Sequence, residues 1–237
     1  MKKTNIQICD NCRKENPLYR ETCLECGHYL RKTVVNIDLW STIWKLFETP
    51  QKVIKNIIYA EHKNFVFFLL LLLSVKFYSL FVIVKFSLNP LAEELKNFFL
   101  NASVITIIFF TALLIFAKII TILISLKEKK IVRFKDNISV ITYSFVPLIL
   151  ISIVLFPIEY GIFGKQWFTS NPSPLIIKKN AAYLLYGIEI FMLLWSLFIL
   201  YLSFYIQSNS KIKAVLFVVS FILTIYGIIS FSPLNII

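Results

Sequence analysis

Four cysteines near the start of the chain have the types and spacing of a metal site. They form two Cys-x2-Cys pairs separated by ten residues, and they are Cys9, Cys12, Cys23 and Cys26. Each pair can present two thiolates to one ion, and four thiolates complete a tetrahedral coordination shell. Gly27 directly follows the last cysteine and allows the backbone to turn tightly there. The spacing therefore predicts a structural zinc site.

Other chemistries fit the same cysteines and remain open from the spacing alone. Two disulfides would need an oxidising compartment, and a Cys-x2-Cys redox pair normally lies on a soluble α/β scaffold. Iron is also bound by four thiolates, because ligand softness and geometry do not separate it from zinc. A closed set of four thiolates leaves no position for substrate, which disfavours a catalytic metal. We interpret the adjacent His28 as an exposed neighbour rather than a ligand.

The rest of the chain has the composition of a membrane protein. Hydrophobic residues make up 58% of the 237 residues and charged residues only 16%, with a mean hydropathy of +0.75, whereas about a quarter of a soluble domain is charged. The chain has a formal charge of +12. In a membrane protein the Lys and Arg residues behind such a charge indicate which loops are cytoplasmic and which contact anionic headgroups. We therefore expect the lipid bilayer as a partner and expect no nucleic acid. The start "MKKTNIQICDNC" lacks the apolar core of a secretory signal.

Five apolar stretches are long enough to cross about 30 Å of hydrocarbon. They cover residues 65–86, 102–126, 138–163, 181–206 and 214–231. None of them alternates as a barrel strand would, so each is predicted to be a helix. The predicted fold class is an all-α polytopic membrane protein, with five transmembrane helices preceded by a small cytoplasmic zinc ribbon and amphipathic interfacial helices.

The distribution of basic residues predicts the orientation of these spans. Residues 1–64 contain eleven Lys and Arg, and the loop "KEKKIVRFKD" contains five. The loop after the first span contains only Lys96, beside Glu93 and Glu94. The positive-inside rule then places the N-terminus in the cytoplasm and the C-terminus outside, most simply in a bacterial cytoplasmic membrane. Because the cytoplasm is reducing, this orientation favours zinc over disulfides.

The chain is predicted to have three parts, residues 1–32, 33–64 and 65–237. The first is the zinc ribbon, since a segment of about thirty residues needs a metal or a disulfide to replace the missing core. The second contains two amphipathic helices. One has Trp40, Ile43, Trp44 and Phe47 on a single face. The next begins at Thr49 and Pro50. Their apolar faces either lie in the membrane interface or pack on the rest of the protein.

Three charged residues and a proline lie inside the predicted spans. Lys76 and Glu189 are at similar depths, so they can pair. Lys118 is about 12 Å from the cytoplasmic end of its span and can extend its ammonium group to the interface. Pro147, near the middle of the third span, is predicted to bend it. We favour a structural pair over a proton or ion pathway, because the sequence indicates no further acidic or histidine residue near the bundle centre.

Three stretches resemble the Yip1 domain family, and specifically its prokaryotic members with an N-terminal zinc ribbon. They are "LFETPQKVIKNI", "ISVITYSFVPLIL" and "SKIKAVLFVVSFIL", and the similarity extends over most of residues 40–231. The resemblance implies a five-span membrane domain with a cytosolic N-terminus. Eukaryotic relatives are associated with vesicle trafficking and small GTPases. Their aspartate, tyrosine, glycine and proline motif ahead of the first span is absent here, so no GTPase-binding residue is carried over.

These features together favour a non-enzymatic integral membrane protein. In the leading hypothesis the zinc ribbon is a scaffold or adaptor that recruits a cytoplasmic or membrane protein, and the sequence allows an oligomer. The alternative is a transporter or channel component that uses Lys76, Glu189 and the Pro147 bend. A metal-responsive regulator is a third hypothesis. The sequence contains no nucleophile elbow, P-loop or HExxH motif, so no catalytic residue is predicted.

Overall fold

The computed structural model describes residues 6–17, 19–30, 37–88, 98–128 and 132–231. The described elements are β1 (Ile6–Ile8), β2 (Glu15–Pro17), α1 (Leu39–Glu48), α2 (Pro50–Tyr59), α3 (Val66–Leu88), α4 (Phe98–Glu128), α5 (Phe134–Ser144), α6 (Val146–Phe163), α7 (Gln166–Thr169), α8 (Pro174–Ile177), α9 (Lys179–Ser208) and α10 (Lys211–Phe231). The predicted outer-loop residues Lys96, Glu93 and Glu94 lie outside the described residues.

Five of these helices are long and apolar enough to cross a membrane, as predicted. They are α3, α4, α6, α9 and α10. Four of the five match the predicted spans to within a few residues at each end. The protein is therefore an all-α integral membrane protein whose cysteine-containing segment precedes the spans.

The third predicted span is wrong in its first part. The helix is interrupted at Phe145, and only Val146–Phe163 forms the apolar crossing helix. Pro147 occupies the first turn of α6 rather than the middle of a bent helix. Proline is tolerated there because the first amides of a helix have no intrahelical partner, so its missing N–H removes no bond.

The helix before this interruption, α5, is buried although it is polar. Its buried polar side chains belong to Asp136, Asn137, Ser139, Thr142 and Ser144. Several of them bond within the protein. The Asn137 amide, for example, donates to the Thr121 hydroxyl at 2.7 Å. Because α5 is enclosed by α2, α3, α4 and α9, it leads the chain into α6 and does not face lipid.

The two amphipathic helices begin near the predicted residues and differ in how they bury their faces. In α2, Val53, Ile54 and Ile57 are buried against the bundle. In α1, Ile43 and Leu46 are buried, whereas Trp40 and Trp44 are each 69% exposed. Exposed aromatic side chains next to a membrane domain are typical of a helix in the interface. The apolar face of α2 therefore packs on the rest of the protein. The exposed tryptophans of α1 fit the other alternative, a helix that lies in the membrane interface.

An aromatic cluster fills the centre of the bundle. Phe145, at the break between α5 and α6, stacks on Phe221 of α10 with ring centroids 5.2 Å apart. Phe77 of α3 contacts Phe145 and Phe109, in each case at 5.7 Å. The rings of all four residues are buried. The interruption of the third span thus places a large side chain at the meeting point of α3, α4 and α10.

Candidate metal centre and buried charge clusters

The four cysteine sulfurs converge on one point. All four lie within 4.8 Å of one another. The distance between Sγ of Cys9 and Sγ of Cys26 is 3.6 Å, and that between Sγ of Cys12 and Sγ of Cys23 is 3.5 Å. Thiolates placed tetrahedrally about 2.3 Å from a zinc ion would be about 3.8 Å apart, whereas disulfide sulfurs are about 2.0 Å apart. The residues therefore fit a single four-thiolate metal site.

The local backbone brings the sulfurs together in two tight loops. Strands β1 and β2 pair in antiparallel fashion, with Gln7 opposite Asn16, and the first cysteine pair lies in the hairpin between them. In the second loop the amide of Gly27 donates to the carbonyl of Cys23 at 3.1 Å. Gly27 has a φ of +69°, a value that residues with a side chain rarely adopt. The predicted role of this glycine in the turn agrees with that geometry.

Backbone amides prepare the second pair for metal binding. The amides of Cys26 and Glu25 donate to the Cys23 sulfur and lower its pKa to about 6. The amide of His28 likewise lowers the pKa of Cys26. The thiolate is the form that binds a metal, and a pKa of about 6 makes it the major species of Cys23 at neutral pH. The His28 side chain itself is exposed.

Asn16 links the two loops, and sequence reasoning missed it. Its side chain is buried, and its Nδ2 donates to the Cys23 sulfur at 3.4 Å and to the Lys14 carbonyl at 2.9 Å. Its Oδ1 accepts from the amide of Leu24 at 3.0 Å. An asparagine in a short polar spacer is ordinarily interpreted as a turn residue, so the sequence alone carries little signal for this role.

A second polar centre, which we term the Asp136 cluster, consists of Lys63, Arg133 and Asp136. Lys63 Nζ lies 3.0 Å from Asp136 Oδ1, and both side chains are about 5% exposed or less. Arg133 binds the same carboxylate with both ends of its fork, at 2.8 Å to Oδ1 and 3.2 Å to Oδ2. Lys63 also donates to the carbonyls of Ile57 and Ile58 at the end of α2. The carboxylate thus joins α5 to the segment between α2 and α3.

Arg133 also connects the cysteine-containing segment to the membrane domain. Its guanidinium carbon lies 3.5 Å from the centre of the Tyr19 ring. The same side chain donates to the carbonyl of Ala60 at 3.0 Å. A guanidinium group over an aromatic face is attracted by the ring quadrupole. The metal-binding segment is thus packed against the start of α5 through one side chain.

Of the charged residues predicted inside the membrane, the structure brings two together. Lys76 of α3 and Glu189 of α9 form a hydrogen-bonded ion pair, and both residues are buried. Lys118 lies on an exposed face of α4, away from that pair. Pro147 is buried at the start of α6 and bends no spanning helix.

The expectation that no further acidic residue lies near this pair is wrong. Glu159 of α6 is buried, and the charges of Glu189 and Lys76 both act on its carboxylate. The sequence gives little signal for Glu159, because this residue lies close to the end of a long apolar stretch. Its position beside Glu189 depends on how α6 is rotated against α9, which hydropathy does not report. Two carboxylates and one ammonium group therefore lie in the same buried region.

We expect the two carboxylates to make the single mutants unequal. Lys76→Leu leaves Glu159 and Glu189 without a cation, and should destabilise the protein by about 3–5 kcal/mol. Glu189→Leu should cost less, because Lys76 keeps Glu159 as a neighbour. The double variant should recover much of the loss. Thermal unfolding in detergent measures all three, and Lys118→Leu, on an exposed face, is the matched control. If neither single variant changes the thermal stability, and the effects of the two substitutions simply add in the double variant, then Lys76 and Glu189 do not form a pair.

Comparison with known proteins adds a family to this description. A family model described as the Yip1 domain matches residues 44–232. Neither the curated proteins nor the solved structures gave a match. The matched region begins in α1 and includes all five spanning helices, and the four cysteines lie ahead of it. Since the match covers most of the chain, this protein belongs to the Yip1 domain family.

Proposed function

We propose that the protein is a non-enzymatic membrane adaptor whose zinc ribbon binds a cytoplasmic protein. The observation that carries this proposal is the surface of the ribbon. Ile8, Leu24 and Tyr29 are each more than 60% exposed, although the segment is only about 25 residues long. Large apolar side chains exposed beside a closed metal site have no role in holding the ion. They suit a protein interface, where such residues contribute most of the binding energy.

The charge of the ribbon indicates the chemistry of the partner. The predicted ribbon, residues 1–32, contains four acidic and seven basic side chains, within a chain whose formal charge is +12. Four thiolates around one zinc ion add a net charge of about −2, which leaves the ribbon close to neutral. A surface of low net charge is neither steered strongly to anionic headgroups and nucleic acid nor repelled by them, so its exposed apolar side chains determine what it binds. We therefore infer a protein partner that presents an apolar patch.

Zinc is the ion that we assign to this site. Four cysteines in two Cys-x2-Cys pairs are typical of structural zinc, and the four sulfurs leave no ligand position open. Cys9, Cys12, Cys23 and Cys26 would hold the ion, which would stabilise the ribbon fold. Iron is the alternative that elemental analysis tests directly.

The cytoplasmic placement of the ribbon is part of the proposal. It rests on the eleven basic residues in positions 1–64 and the five in the loop before α5. We expect a reporter that is active only outside the cytoplasm to be active when fused after Ile237 and silent when fused after Lys130. Activity after Lys130 would reverse the orientation and place the partner outside the cell.

Transport is the second candidate function, and one observation favours it. Lys76 and Glu189 form a buried ion pair inside the spans, and intramembrane charges often mark ion pathways. The predicted bend at Pro147 does not support transport, since Pro147 lies in the first turn of α6 rather than in the middle of a spanning helix. The aromatic cluster of Phe77, Phe109, Phe145 and Phe221 packs the bundle centre at the depth of Lys76. We therefore prefer the adaptor.

The adaptor is tested by crosslinking in cells followed by quantification of the recovered partner. Leu24→Ser with Tyr29→Ser should lower recovery about tenfold or more, because two interface anchors are removed. Trp44→Ala, which is equally exposed but lies outside the ribbon, is the matched control and should leave recovery unchanged. The zinc content of each variant confirms that its ribbon is folded. Equal recovery from the ribbon variant and the wild type would refute the proposal.

A further inference from the structure

A cavity between α3 and α6 contains a carboxylate that the ion pair of Lys76 and Glu189 does not neutralise. The cavity has a volume of 340 Å³, and its polar lining residues are Lys76, Ser79, Ser152 and Glu159. Glu159 is only 4% exposed, and its Oε1 has no hydrogen-bond partner among the residues that the structure describes. The indole N–H of Trp167 faces this carboxylate but does not reach hydrogen-bond geometry.

With Glu159 ionised, the local charges leave an excess of one negative charge. Glu159 and Glu189 are opposed by Lys76, and these are the charges that act on Glu159. Lys76 is already bound to Glu189. A carboxylate enclosed by apolar helices must either take up a proton or keep a cation beside it, because an isolated buried charge is costly. The cavity next to Glu159 provides room for that cation.

The walls of the cavity favour an organic cation over a metal ion. Apart from the polar residues, the lining is Leu72, Val75, Ile149, Ile153, Phe156 and Pro157. Metal ions such as Mg²⁺ and Ca²⁺ need several oxygen ligands at about 2.0–2.6 Å, and this lining offers few. Apolar pockets of about 300–1,000 Å³ with a small number of polar groups are typical of small organic ligands.

Two of the lining residues have chemistry suited to an ammonium group. The Ser152 hydroxyl donates to the Leu148 carbonyl at 2.7 Å, so its oxygen can still accept a hydrogen bond. The Phe156 ring at the wall can attract a cation through its face. Together with the carboxyl group of Glu159, which lines the same cavity, these groups suit an ammonium head on an apolar body.

We propose that this cavity binds a small organic amine in its protonated form, with Glu159 as the counter-ion and Ser152 as a further acceptor. A second cavity of 510 Å³ adjoins the first and shares Val75, Ser79 and Phe156 with it. It extends past Lys165 and Thr169 of the α7 region, at the end of α3 remote from the cysteine-containing segment. Amphipathic amines concentrated at the membrane surface would enter by this route.

The test compares benzylamine with benzyl alcohol, which has nearly the same shape and no charge. Both are titrated by calorimetry into the full-length protein in detergent at about pH 7.5, where benzylamine is protonated. Benzylamine should bind about tenfold to hundredfold more tightly than benzyl alcohol, the range for hydrogen bonds to a charged group. This comparison needs no variant and so does not depend on whether a mutant folds.

A variant then assigns the site. Glu159→Gln should lower benzylamine affinity about tenfold to hundredfold and leave benzyl alcohol affinity unchanged. Glu48→Gln, in the exposed part of α1, should change neither. Equal affinities for the two compounds, or equal benzylamine affinity in Glu159→Gln and the wild type, would overturn the proposal. Absence of benzylamine binding at millimolar concentration would also overturn it, and would mean that Glu159 carries a proton instead.

Discussion

Removing the metal is expected to unfold residues 6–30 and to leave the five spanning helices inserted. Within the described part of that segment the only buried residues are Cys9, Asn16 and Cys23. Two of these are cysteines of the proposed metal site, and the third is hydrogen-bonded to one of them. The proposed metal site therefore takes the place of a hydrophobic core in this segment. Structural zinc contributes about 10–16 kcal/mol of apparent binding free energy in segments of this kind, more than such a small fold can lose.

Hydrogen exchange measured by mass spectrometry can follow this unfolding segment by segment. Cys23→Ser, or a chelator added to the wild type, should abolish amide protection in residues 6–30 and leave the protection of α3, α6 and α9 nearly unchanged. Elemental analysis should find one zinc ion per wild-type chain. His28→Ala is the matched control and should retain both metal and protection. A reduced, metal-free protein with a protected ribbon would contradict the prediction.

Asp136→Asn is expected to destabilise the membrane domain by about 3–5 kcal/mol. The carboxylate binds Lys63 and both ends of the Arg133 fork, and Lys63 is buried. An amide in its place removes the negative charge that both cations bind, at a site where water has little access. Breaking a buried pair by removing one partner is therefore costlier than removing both.

Thermal unfolding in detergent measures this loss. Asp136→Leu combined with Lys63→Leu should be less damaging than Asp136→Asn, because that double variant removes the buried ammonium group together with the carboxylate that binds it. Asp38→Asn is a suitable control, since Asp38 is an exposed helix cap that accepts from the Ser41 amide at 2.9 Å and asparagine caps equally well. A loss below about 1 kcal/mol for Asp136→Asn would show that the cluster is solvated.

Features that depend on composition and local spacing could be predicted from the sequence. Long apolar runs identify spanning helices because the bilayer excludes unpaired backbone groups. The Cys-x2-Cys spacing is itself the geometry of two ligands on one turn. In both cases the physical constraint acts between residues close together in the chain.

Features that depend on packing between distant segments could not be predicted in the same way. The third predicted span extends into α5 because Ile138, Val140 and Ile141 keep that stretch apolar on average, whereas its polar side chains form hydrogen bonds within α5 and to neighbouring helices. Glu159 approaches Glu189 only through the rotation of α6. Asp136 follows a run of basic residues at the start of α5, where the sequence offers several partners. In each case the contact depends on the direction in which the side chains point. A hydropathy average over a stretch of sequence contains no information on that direction.

The stacking of Arg133 on Tyr19 would couple a metal ion bound by the four cysteines to the membrane domain. Thermodynamic linkage requires that any free energy by which the bound ion stabilises the spans is returned as tighter ion binding. A cation–π contact of about 0.5–2 kcal/mol would couple the two by about twofold to thirtyfold. A ligand or lipid that shifts α5 would then alter metal affinity at a distance, and the availability of that metal would in turn change how readily the helix bundle rearranges.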